Sequence, residues 1–99
     1  MNIRTQITGF TIKYGSATGV LPKMFLYNGQ TQIAQISFIV DAATLPNPSV
    51  LQGSVIMSFH EKDFKTILEM VQQVKPLFVT FFDTPSVFAS LAADQIIAV

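Results

Sequence analysis

His60-Glu61-Lys62-Asp63 is the densest group of potentially reactive side chains in the sequence, and it holds the chain's single histidine. Zinc-hydrolase chemistry on a helix needs His-Glu-x-x-His, so that two imidazoles meet the metal from one face. Here the fifth position is Phe64 and no second histidine exists. Holding an ion with His60, Glu61 and Asp63 would require near-consecutive positions at a helix start to converge, so no metal site is expected. General acid-base work by His60 would need a partner brought from a distance, such as Asp83 or Tyr27. Serines 54, 58, 86 and 90 lack the Gly-x-Ser-x-Gly setting of an esterase nucleophile. Asp41, Asp83 and Asp94 fall in expected turns, where aspartate is a favoured former.

The structural account of the tetrad is simpler. Ser58 or His60 stands where a helix begins, and Glu61 and Asp63 set negative charge against its positive end. Ser58-x-x-Glu61 also fits a capping box. On a helical wheel His60 lies beside Phe64 and Val71, at the edge of the apolar face.

Other chemistries are narrowed by composition. The chain has no cysteine, which removes disulfides, thiolate nucleophiles and thiolate metal ligands together. Gly15-Ser16-Ala17-Thr18-Gly19 has the glycines of a phosphate loop but not its Lys-Ser/Thr ending. Six basic and six acidic residues cancel, and the basic ones are scattered. Nucleic acid is therefore not an expected partner, since its binding draws on a clustered basic face. No run of apolar residues reaches bilayer-spanning length, and none at the start resembles a signal peptide. In Asn47-Pro48-Ser49 the proline occupies the position that blocks glycosylation. A cytoplasmic protein with no membrane association, metal or cofactor is the expectation.

These residues must be positioned by one small domain spanning residues 1–99. Half the chain is hydrophobic (49%) and only 12% is charged, about half the usual charged share, so it is expected to fold. Residues 3–14 read as a strand whose apolar parity switches near Gly9, a bend that serves two packing surfaces. Asn28-Gly29 between two β-rich runs predicts a type I′ hairpin with Tyr27 opposite Gln30, Phe25 opposite Gln32 and Met24 opposite Ile33. The second strand is expected to reach Val40, with Ile36, Phe38 and Val40 on one face. After a loop at 41–49, residues 51–59 read as a strand with Val55, Met57 and Phe59 aligned.

From Glu61 to Val74 the apolar period becomes helical, with Phe64, Ile67, Leu68, Val71 and Val74 on one side. Lys75-Pro76 ends it. Residues 77–82, LFVTFF, are apolar on both faces and predict a central strand. Residues 87–99 admit a helix behind Thr84-Pro85 or strands to about Leu91 and again from Gln95; the strand reading is favoured. The fold class expected is α+β: an antiparallel sheet of five to six strands, open or curled into a half-open barrel, packed by one amphipathic helix in the order ββββαβ(β).

Six of the twelve charges lie between Glu61 and Lys75, so the helix has a wet outer side. The sheet's non-core positions are instead filled by Thr, Gln and Ser among aromatics. One helix covers one side of such a sheet, and an edge guarded by few Lys or Pro invites pairing. Self-association as a homodimer, with a further protein partner as an option, is the expected use. Candidate partner- or ligand-contacting residues are Tyr27, Gln32, Gln35, Ser37 and His60; no catalytic residue is expected. The chain reads as a non-enzymatic binding or assembly protein. The alternatives are a small apolar-ligand module with a pocket between helix and sheet and, behind it, an enzyme using His60.

Overall fold

The change of parity near Gly9 becomes a change of sheet. In the computed structural model, which describes residues 2–15 and 21–93, β1 (Asn2–Gln6) belongs to one sheet and β2 (Gly9–Lys13) to another. At the crossing, the Ile7 amide donates to the Leu77 carbonyl of one sheet and the Thr8 amide to the Tyr27 carbonyl of the other. The remaining elements are β3 (Lys23–Asn28), β4 (Thr31–Ile39), β5 (Ser49–Leu51), β6 (Ser54–His60), a 3₁₀ turn (Glu61–Asp63), α1 (Phe64–Gln73), β7 (Leu77–Phe82) and β8 (Phe88–Ala93).

The class is α+β with one helix, and the strands divide between two sheets instead of forming one sheet of five to six. The smaller sheet runs β1-β7-β8 and the larger β2-β3-β4-β6-β5. All pairings are antiparallel except β4 with β6. The sequence signal for this division is weak, because pairing β1 with β7 joins segments from opposite ends of the chain.

Two turns differ from expectation. Between β3 and β4 Asn28 pairs with Thr31, so Gly29-Gln30 are the central residues, with positive φ at Gly29 (61°) but not at Gln30. That pattern fits a type II′ turn. Tyr27 faces Gln32, the register then shifts, and Leu26 faces Ala34, Phe25 faces Gln35 and Met24 faces Ile36. Ile33 and Ala34 are consecutive and both buried, as a bulge allows. The cause is tertiary. The Asn28 side-chain amide donates to the Gln6 carbonyl at 2.9 Å, and the Gly29 N–H donates to the Thr8 hydroxyl at 2.7 Å. The type I′ signature, positive φ at both central residues, occurs at Gln52-Gly53 (52° and 80°). There it cuts the expected strand at 51–59 into β5 and β6.

The core is shared by both sheets and the helix. Met24, Leu26, Ile36, Phe38, Val55 and Met57 come from the larger sheet; Leu77, Val79 and Phe81 come from the smaller; Ile67 and Val71 come from α1. Phe64 meets Phe38 edge-on at 4.9 Å. Phe59, Leu68 and Val74 pack around this set. Val40, expected beside Phe38, lies beyond β4 and is exposed. β7 is central in its sheet, but it alternates buried and half-buried positions and is not buried on both faces. Residues 88–93 form a strand, so a helix behind Thr84-Pro85 is not formed. The glycine-rich segment at 16–19 and the strand expected from Gln95 lie outside the described residues.

Candidate functional site

Because side chains alternate along a strand, residues between core positions point to the opposite side of the larger sheet. Thr11, Phe25, Gln35, Ile56 and Ser49 pair in succession and form one row across all five strands. Tyr27 and Gln32 form the next row on one side; Lys23, Ser37 and Ser58 form the row on the other. His60 pairs with Ile39 at the far end. All five residues expected to contact a partner or ligand (Tyr27, Gln32, Gln35, Ser37 and His60) therefore lie on this outer face. All five are half-buried.

They do not converge on one point. Seven positions of β4 separate Gln32, opposite Tyr27, from Ile39, opposite His60. At about 3.3 Å per residue that is roughly 23 Å. Asp83 follows β7 in the other sheet. His60 and Tyr27 are therefore not brought together in this arrangement.

The local chemistry of the face is that of amides, hydroxyls and apolar groups. Gln32 Nε2 donates to the Ser54 hydroxyl at 3.2 Å. A shallow depression of about 330 Å³ is lined by Gln32, Gln35, Leu51, Gln52, Ser54 and Ile56. Lys13 and Lys23 pair at one end of the face, with the Lys13 ammonium 5.1 Å from the Phe25 ring centre. Ile39, Leu51 and Ile56 were not singled out by sequence reasoning. Their assignment to this face depends on the β4–β6 register, for which the sequence offers only alternation.

His60 has a structural attachment. Its Nε2–H donates to the Ala43 carbonyl at 2.8 Å, which places the proton on Nε2 because a carbonyl only accepts. The 3₁₀ turn begins after His60, but neither His60 nor Ser58 caps it; Ser58 is inside β6, so the expected capping box is absent. The cap comes instead from Asp41, whose Oδ1 accepts from the Lys62 N–H at 3.0 Å. Sequence reasoning treated Asp41 only as a turn former. Among the described residues no group of three or more His, Asp or Glu could hold a metal ion.

A second feature lies where α1 meets β8. Phe59, Ile67, Met70, Phe88 and Leu91 line an apolar recess of about 290 Å³. It shares Phe59 and Phe88 with a neighbouring recess of about 270 Å³ under Leu45, Pro46 and Pro48. No helix of the described residues is long and apolar enough to cross a membrane. Comparison with family models, with curated proteins and with solved structures finds no match.

Proposed function

We propose that this chain is a small non-enzymatic binding and assembly protein, and that its copies associate through the outer face of the five-stranded sheet. The observation that carries the reading is the row Thr11-Phe25-Gln35-Ile56-Ser49, which crosses the whole sheet without a charge. Glutamine, serine and threonine there can exchange hydrogen bonds with a like surface, while Phe25 and Ile56 supply apolar area. A twofold contact needs a surface complementary to itself. The central row meets that condition because it sets no like charges together, with Lys13 and Lys23 kept to one end of the face.

Light scattering behind size exclusion at low micromolar concentration tests this. The expected mass is at least twice 10.9 kDa. Replacing Gln35→Lys and Ile56→Lys together sets like charges across the contact and should halve the wild-type mass. A wild-type mass of 10.9 kDa, or a double variant of unchanged mass, overturns the reading.

The recess between α1 and β8 favours a second reading, in which the chain holds a small apolar ligand. Its lining by Phe59, Ile67, Met70 and Leu91 supports this. Binding of an apolar fluorescent dye, lost on Met70→Lys, is the expected result of that reading; dye binding unaffected by the substitution sets it aside.

A further inference from the structure

Among the described residues the four edge strands, β1, β2, β5 and β8, are not equally protected. β1 carries Arg4; β2 starts at Gly9 and ends on Lys13; β5 is three residues long and turns at once through Gln52-Gly53. Charge, glycine and shortness are the usual ways in which edges avoid pairing. β8 has none of these. Its six residues, Phe88-Ala89-Ser90-Leu91-Ala92-Ala93, contain no charge, proline or glycine. β7 occupies one side of β8, and among the described residues no strand occupies the other.

We propose that β8 pairs antiparallel with β8 of a second copy about a twofold axis at Ser90, joining two three-stranded sheets into one of six strands. This contact is separate from the face contact proposed above and stands without it. The sequence of β8 supports the register. With Ser90 opposite its own copy, Phe88 faces Ala92 and Leu91 faces Ala89 across the axis. Large therefore meets small on both sides of the sheet, as close cross-strand packing requires. Phe88 is about half exposed (48%) and has apolar surface left to cover. It stacks on Phe82 at 5.2 Å, which holds the ring at the edge. The absence of charge from β8 leaves no like-charge pair to oppose the twofold. Two independent twofold contacts, one by face and one by edge, would let the chain build a tetramer or an open filament, depending on whether the rotations close.

The chain's lack of cysteine makes a cross-linking test clean. Residues directly opposite in an antiparallel pair have Cα atoms about 4.5–5.5 Å apart, within the range a disulfide spans. Ser90→Cys should form a covalent dimer on mild oxidation at least tenfold faster than Ala92→Cys. Two copies of Ala92 would stand four positions apart along the joined strands, roughly 13 Å. The same ratio is expected in the Gln35→Lys, Ile56→Lys background, so failure of the face contact and failure of the edge contact are read separately. Equal rates for Ser90→Cys and Ala92→Cys overturn the proposal. Amide exchange on the wild-type chain gives a second readout, with protection fading on dilution at those alternate amides of residues 88–93 that point away from β7. Protection of these outward amides that persists in a single-copy species also overturns it.

Discussion

His60 and Asp41 form a reciprocal pair of ties. The ring reaches from the end of β6 to the loop at Ala43, and the loop's Asp41 reaches back to the Lys62 amide in the first turn. A net intramolecular hydrogen bond contributes about 1 kcal/mol, and a lost cap is similar. His60→Ala and Asp41→Ala should each lower unfolding free energy by about 1 kcal/mol in urea denaturation. The double variant should lose less than the sum, since one cut tie already frees the loop that the other holds. At Gly29 the reason for the residue is φ itself. An added Cβ would meet nothing within 4 Å, yet φ is 61°. Gly29→Ala should therefore destabilise by about 1–2 kcal/mol through backbone strain alone, visible as a lower urea midpoint with an unchanged slope.

At the scale of elements, α1 is held by its buried side. Ile67 and Val71 enter the shared core, whereas Lys65 and Glu69 are exposed. Ile67→Ala should cost about 2–4 kcal/mol by lost burial and an incompletely filled cavity. Lys65→Ala should change stability by less than about 0.5 kcal/mol. The same denaturation series distinguishes them, and equal effects would contradict the packing described. The helix ends as its sequence requires: Val74 leaves the helix with extended backbone while its amide still donates to the Met70 carbonyl, ahead of Pro76.

For the whole molecule, the proposed face contact rests on amides, hydroxyls and apolar groups, so its response to salt is determined by chemistry. Ion pairs between surfaces weaken as the Debye length falls from about 10 Å at 0.1 M to about 3 Å at 1 M. A contact without charge pairs does not depend on that field. The oligomeric mass should therefore persist from 0.1 M to 1 M sodium chloride, and dissociation with salt would contradict an uncharged interface. The partition of strands matters here. Residues from the inner faces of both sheets and from the helix share one core, and the proposed contact uses the opposite face of the larger sheet.

Much of the fold is determined by short-range rules. The helix over Phe64–Gln73, the bend before Gly9 and the alternation of Val55, Met57 and Phe59 follow from periodicity and from what glycine and proline permit. Gln35 and Ser37 could be assigned to the non-core side by strand parity against Ile36 and Phe38, whereas Gln32, of the other parity, reaches that face only through the bulge opposite Leu26 and Tyr27. What parity cannot decide is which strands are neighbours. The division into two sheets depends on β1 meeting β7, and the parallel β4–β6 pairing depends on a turn at Gln52-Gly53. The turn at Gly29-Gln30 was moved by one position through Asn28 and Thr8, whose partners lie about twenty residues away. Each such hydrogen bond contributes about 1 kcal/mol net, so two contacts from distant strands weigh against the local preference for a turn at Asn28-Gly29.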